Sequence, residues 1–295
     1  IRSRPESVRG APGALHMRLT VLVDNATLTD RYFLAEPGLS IYIEDGGTRV
    51  LFDTGYSGIL VENARKMGID LLRIEEVVLS HGHLDHTWGL DALLRLHTEG
   101  IIEGHERVEP TFIAHPEAFL TRSLDGAGEI GSHLSVEELF RHGRVLLTAA
   151  PLWLTENLVF LGEIERRFEF ERTPPHGYIY TPDGIRDDTI ADDTALACKT
   201  PDGLVVVTGC SHSGVCSIIE QAREVCGEDR VADVIGGFHL LDAPPERIQG
   251  VVDYFSEVQP AALHPCHCTD LAAKVALAKV ANVRETGVGL ILEYG

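Results

Sequence analysis

Short apolar runs, each stopped by Gly, Pro or Asp and each running into a polar cluster, recur along this chain. Residues 17–23 and 39–43 carry the β-branched and apolar content of strands, and 48–52 follows the turn Asp45-Gly46-Gly47, so 39–52 predicts a hairpin. Residues 57–68 place Ile59, Leu60, Ala64 and Met67 at helical spacing and close on Gly68. A short apolar run at 74–79 then leads into a helix beginning near Trp88, and 111–115 predicts another strand. The pattern weakens over about 121–190, where only 158–161 reads as a strand; that stretch is expected to be an insertion covering the site. Order returns with a second hairpin, 194–198 and 204–208 around Pro201-Asp202-Gly203. Two strand–helix units follow: strand 231–235 with a helix opened by Pro244-Pro245 and running to Val258, and strand 261–264 with an Ala- and Lys-containing helix. A last strand is expected at 288–292. Each half is thus a hairpin followed by strand–helix units. Two such halves packed sheet on sheet, helices outside, bring the strand ends to one edge.

The polar clusters at those ends carry the chemistry. After 74–79 comes Ser80-His81-Gly82-His83-Leu84-Asp85-His86-Thr87, three imidazoles and a carboxylate within six residues. His81 and His83, two apart, can face one ion from an extended turn, and Asp85 and His86 can face a second. Imidazole with carboxylate suits Zn²⁺, with Fe or Mn less specifically. Further strand ends carry Asp53, Cys210 with His212, His239 and His267. Ser211 and Ser213, beside a predicted helix start, are candidates to hold an anion, with plain capping as the alternative. His115 and His264 are read as ordinary histidines.

Composition narrows the field. The chain has 295 residues, 44% apolar, with 45 acidic against 25 basic residues and a net charge of −20. A free nucleic-acid surface needs clustered Lys and Arg, so nucleic-acid binding is not expected. No run is long and apolar enough to span a bilayer. The six cysteines lack the spacing of a disulfide framework, so reduced thiols and a cytoplasmic location are expected. Residues 1–16 read as a cloning remnant or disordered leader, and 17–295 as one domain. A small-molecule substrate is expected; a homo-oligomer is left open.

His81-Gly82-His83-Leu84-Asp85-His86 after a strand resembles the signature of the metallo-β-lactamase superfamily. Leu51-Phe52-Asp53-Thr54-Gly55, Thr208-Gly209-Cys210-Ser211-His212-Ser213-Gly214, Gly236-Gly237-Phe238-His239-Leu240 and His267-Cys268-Thr269 follow in order. The set is similar to the branch called 7,8-dihydropterin-6-yl-methyl-4-(β-D-ribofuranosyl)aminobenzene 5′-phosphate synthase, also metal-dependent hydrolases of β-lactamase superfamily II. The resemblance covers roughly 17–120 and 190–292. It implies an αββα sandwich, two mixed sheets face to face, with a one- or two-metal site on one edge. It implies His81, His83, Asp85, His86, His212 and His267 as metal ligands, Asp85 also as the catalytic base, Asp53 as a carboxylate steadying a ligand imidazole, and two Zn ions. The chain departs from the superfamily in having no Gly-His-Thr, which leaves His212 as the stand-in. Cys210 stands where an aspartate is usual. Cys210, His239 and Asp193 are open between metal and substrate; Cys266 and Cys268, flanking His267, are expected to point away from it and pack.

The function expected is a metal-dependent hydrolase. A metal-activated water would attack a small anionic or heterocyclic substrate, with pterin- or phosphate-bearing compounds among the candidates. The alternatives are a phosphoribosyl-pterin synthase of methanopterin-type biosynthesis, a mononuclear iron oxygenase of the persulfide type, and a non-enzymatic metal or ligand sensor.

Overall fold

The computed structural model describes residues 17–295; the reading of 1–16 lies outside the described residues. The first half runs β1 (Met17–Val23), β2 (Ser40–Asp45), β3 (Thr48–Phe52), α1 (Ile59–Met67), β4 (Glu76–Val78), α2 (Leu84–Thr87), α3 (Leu90–Ile102) and β5 (Thr111–Ala114). The middle holds β6 (Arg122–Leu124), β7 (Gly128–Glu129), α4 (Val136–Leu139), β8 (Arg144–Leu147), β9 (Leu152–Trp153), β10 (Leu158–Phe160), β11 (Tyr178–Thr181) and β12 (Gly184–Asp187). The second half is β13 (Ala195–Thr200), β14 (Gly203–Thr208), α5 (Val215–Cys226), β15 (Val231–Gly237), α6 (Pro245–Val258), β16 (Ala262–Cys266), α7 (Leu271–Leu277) and β17 (Ile291–Tyr294).

These strands make two large mixed sheets, ordered β17-β1-β2-β3-β4-β5-β8 and β16-β15-β14-β13-β10-β9. Period-2 alternation divides each central strand between two cores. In β3, Val50 and Phe52 face the other sheet while Leu51 faces α1 and α3. In β14, Val205 and Val207 face the other sheet while Leu204 and Val206 pack on α5 and α6. A strand covered on both faces reads as an unbroken apolar run, as Leu-Val-Val-Val does in β14. The result is the αββα sandwich, with one core between the sheets and one beneath each helix layer.

The middle of the chain differs from the single insertion expected. Its 144–147 and 158–160 segments are strands of the two main sheets, β8 beside β5 and β10 beside β13. Only 122–129 and 178–187 stand apart, as a small sheet ordered β12-β11-β6-β7. The exposed, short strands of that sheet lack the apolar run that marks a buried strand, which is why the region reads as loop. All six cysteines are free thiols. No helix among the described residues is long and apolar enough to cross a membrane.

Candidate metal centre

The parallel pairs β3–β4, β14–β15 and β15–β16 end side by side, so the residues after them meet along one edge. Four of those residues take a left-handed backbone without being glycine: Asp53 after β3, Ser211 beyond β14, His239 after β15 and His267 after β16. Such conformations cost about 1–3 kcal/mol each and gather at sites where a side chain must be re-aimed.

Buried Asp53 fixes the histidine loop. Its Oδ1 accepts from Ser80 N at 2.7 Å, and its Oδ2 accepts from Ser80 Oγ and faces His86 Nδ1, both at 2.7 Å. With Nδ1 facing Asp53, His86 turns its Nε2 towards Cys210 Sγ and His267 Nε2. His267 is oriented the same way: its Nδ1 faces Asn25 Oδ1 at 2.9 Å, and its backbone N donates to Asp24 Oδ1 at 2.9 Å. The loop itself is held from the far side. Gly82 N donates to Asp192 Oδ2 at 2.7 Å, Thr194 N to Ser80 O at 2.9 Å, and fully buried Arg122 binds Asp192 and Asp188. A Cβ on Gly82 would collide with the Arg122 guanidinium and with Ala118 O.

Two sets of donor atoms converge. Asp85, His86, Cys210 and His267 form one; His81, Cys210 and His212 form the other, so Cys210 belongs to both. Cys210 Sγ lies 3.1 Å from His267 Nε2 and 3.3 Å from His86 Nε2, and the two Nε2 atoms are 3.2 Å apart. Asp85 Oδ2 is 3.3 Å from His267 Nε2. His83 lies beside the second set, its Nδ1 3.0 Å from His81 Nε2 and its ring 4.9 Å from that of His212.

A metal fits these residues. Tetrahedral donors about 2.0–2.1 Å from Zn²⁺ lie about 3.3 Å from one another, near the separations just given. The Nε2 atom of His212 is buried with no hydrogen-bond partner, a loss that a coordinated ion removes. Burial, reinforced by the neighbouring imidazoles and, at His81 and His83, by Arg122, holds His81, His83 and His212 well below the usual histidine range, so they are neutral, the form that ligates. At His86 burial works the same way, but the Asp85 and Asp53 carboxylates overcome it and raise the imidazole to about 9. Burial would raise Asp85, but His86 and His267 hold it well below the usual carboxylate range.

The set opens into a cavity of about 550 Å³ whose lining includes His83, Asp85, Cys210, His212, His239 and His267. The other sequence candidates fall elsewhere. Asp193 is buried, takes Ser213 N at 2.8 Å on Oδ2, and leaves Oδ1 without a partner; burial lifts its carboxyl to about 6. Asp193 therefore holds the 212–213 turn and joins neither donor set. His239 also joins neither, and its ring lies 4.3 Å from that of His212. The anion site expected at Ser211 and Ser213 is already filled from within the chain. Ser211 Oγ donates to Gly237 O at 2.6 Å, while the first-turn amides of α5, Cys216 N and Ser217 N, donate to buried Glu171 at 2.7 and 3.0 Å. Cys266 packs between the sheets, but Cys268 lines the cavity together with His267. The left-handed turn at His267 breaks the alternation that would have sent Cys268 the other way.

Two residues of the site take no role from the sequence: Asn25, which closes the run Val21-Leu22-Val23-Asp24-Asn25 that also carries the resemblance, and His176, which has no signal of its own. Asn25 steadies His267 from across 242 positions. His176, in the unpatterned Pro174-Pro175-His176-Gly177, brings its ring within 5.4 Å of His83. Only the Pro-Gly punctuation hinted that this loop was held in place.

The profile of the metallo-beta-lactamase superfamily matches residues 34–209. The chain is 32% identical over 252 residues to a Methanocaldococcus jannaschii protein named 7,8-dihydropterin-6-methyl-4-(beta-D-ribofuranosyl)-aminobenzene-5'-phosphate synthase, over 82% of this chain and 84% of that one. It is 29% identical over 276 residues to an uncharacterized protein of the same archaeon, over 93% and 99% of the two. Among solved structures it is similar to a metal-dependent hydrolase of the beta-lactamase superfamily, with a TM-score of 0.76 and 30% identity over 94% of this chain and 98% of the other.

Proposed function

This chain belongs to the metallo-β-lactamase superfamily, and from that premise we propose that it is a dinuclear zinc hydrolase of small, anionic, ring-bearing molecules. The observation that carries the reading is the pair of converging donor sets sharing Cys210 at the floor of one cavity. His81, His83, His212 and Cys210 would hold one ion, and Asp85, His86, His267 and Cys210 the other. Bound divalent metal supplies a Lewis acid and lowers the pKa of water to about 7 in favourable cases.

The residues of the chain do the rest. Asp53, Ser80 and Asn25 keep the ligand imidazoles in one tautomer and one orientation. Asp85, ionised and bordering the cavity, accepts the proton of the attacking water on the oxygen not engaged with His267. Leu84, Leu124, Ala127 and Ile130 give the cavity an apolar wall that suits a flat ring and excludes water. A volume of about 550 Å³ matches a molecule of cofactor-fragment size.

Two donor sets favour this reading over a mononuclear iron oxygenase. The synthase name of the archaeal relative supports a second reading, a phosphoribosyl-pterin synthase that joins two substrates with loss of a leaving group. A product screen separates the two.

The test is metal content per chain together with a screen of phosphoesters, lactones and pterin phosphates. About two Zn or Mn per chain and hydrolysis of at least one class are expected. His83→Ala is expected to fold, to lose metal and to lose all activity. Full metal content in that variant would overturn the ligand assignment, and one Fe per chain with oxygen uptake would overturn the hydrolase.

A further inference from the structure

A second cavity of about 300 Å³ adjoins the first, lined by Thr173, Pro174, Pro175, His176, His212, His239 and Arg247. The two share His176, His212 and His239, so together they form one cleft with two arms. The arms differ in chemistry. One is walled by apolar side chains beside Asp85; the other has Arg247 and imidazoles and no carboxylate in its lining. In a chain of net charge −20 such a carboxylate-free pocket is unusual.

Arg247 is the key group. Two arginines nearby in the chain meet carboxylates, Arg223 with Glu220 and Arg230 with Glu228, both at 2.8 Å. Among the described residues Arg247 instead donates one bond, from its Nη2 to the backbone carbonyl of Arg172 at 3.0 Å, and its Nε is buried with no partner. His239 adds a buried Nδ1 that also lacks a partner. Arg247 lines the arm with one of its five donors spent on Arg172 O, and His176, His212 and His239 line it with no carboxylate to neutralise the guanidinium there, a setting that suits an anionic acceptor. A phosphate monoester fits it, because its three terminal oxygens match the guanidinium fork and accept from imidazole.

We infer that the arm formed by Arg247, His176 and His239 binds the phosphate end of the substrate, apart from the bond that is cleaved. The inference rests on the hydrolase reading for what happens between the arms. The substrate class is then a two-ended molecule: a phosphomonoester in the Arg247 arm, an aromatic or heterocyclic ring in the Leu124–Ile130 arm, and the reacting bond over the metal centre. The phosphate is a handle that fixes position, and it leaves with its own half of the molecule.

The experiment is calorimetric titration of inorganic phosphate into the metal-loaded protein, in the wild type, Arg247→Met, Arg247→Lys and Leu124→Ala, with metal content measured in every sample. Arg247→Met is expected to weaken phosphate binding by about tenfold or more at unchanged metal content, the loss expected for one charged donor. Arg247→Lys is expected to recover part of it, and Leu124→Ala to bind phosphate as the wild type does. Binding by a folded Arg247→Met within about twofold of wild type would put phosphate on the metals and overturn the inference. Absence of binding to the wild type at millimolar phosphate would overturn it as well; if Arg247→Met does not fold, equal affinity of Arg247→Lys and wild type does so. Failure of the hydrolase reading shows separately, as a chain that holds no metal whatever its affinity for phosphate.

Discussion

Asp53 makes three contacts with one carboxylate, to Ser80 N, Ser80 Oγ and His86 Nδ1. Removing it as Asp53→Ala frees the His86 ring without deleting a ligand. Metal affinity is expected to fall by about 10–100-fold, measured by competition against a chromophoric chelator. An unchanged affinity would mean that packing alone holds the imidazole. A second residue tests electrostatics away from the site. Burial, helped by the charge of Glu75, pushes the Glu76 carboxyl up to about 7, and its Oε2 is buried without a partner. The folded state therefore binds this proton more tightly than the unfolded chain does. Its contribution to stability is full at low pH and lost as pH rises from the unfolded value through about 7. Glu76→Gln is expected to raise stability by about 1 kcal/mol above pH 7 and to change little below pH 4.5, followed by denaturant melts at both. Equal shifts at the two pH values would contradict this. At this scale the sequence is legible where residues are dense. Three histidines and an aspartate in six positions announce themselves, whereas His176 stands alone and the role of Asn25 shows only once the fold brings it to His267.

Arg122 lies at the start of a three-residue strand and is among the largest fully buried side chains. It joins the small sheet to the histidine loop through Asp188 and Asp192. Arg122→Met would leave two buried carboxylates facing each other and slacken the hold on Gly82. A loss of about 3–5 kcal/mol is expected in thermal or denaturant unfolding, larger than any exposed ion pair would give. Gly209 is a second junction, since a Cβ there would run into the Ser80 side chain. Gly209→Ala is expected to push the loops apart and reduce bound metal, read by elemental analysis of the folded variant. The legible elements are those whose period is carried by buried residues: both hairpins, β15, β16 and the amphipathic helices. The strands β8, β6, β7, β11 and β12 are short with one face or more in solvent, so their sequences have no clear period to read. The left-handed strand ends at Asp53, Ser211, His239 and His267 are equally hidden, because nothing in a non-glycine residue type declares that backbone.

The sandwich and its net charge of −20 act on the molecule as a whole. Mutual repulsion among surface carboxylates opposes compaction and is screened within about 8–10 Å at physiological salt. The melting temperature is therefore expected to rise between low and physiological ionic strength, by scanning calorimetry on metal-loaded protein. A fall would show that ion pairs dominate the surface instead. The two-half arrangement was legible at this scale because the order hairpin, strand, histidine, helix repeats along the chain. What the repeat could not show is how the halves share one centre. His86 meets Cys210 across 124 positions and His267 across 181. An ion seated among them closes loops of those lengths, as a cross-link would. The entropy of a closed loop grows only slowly with its size, so each closure constrains the unfolded chain by several kcal/mol. Chelation of such an ion would then act as reduction acts on a disulfide protein, letting the two sheets part first at the edge where the strand ends meet.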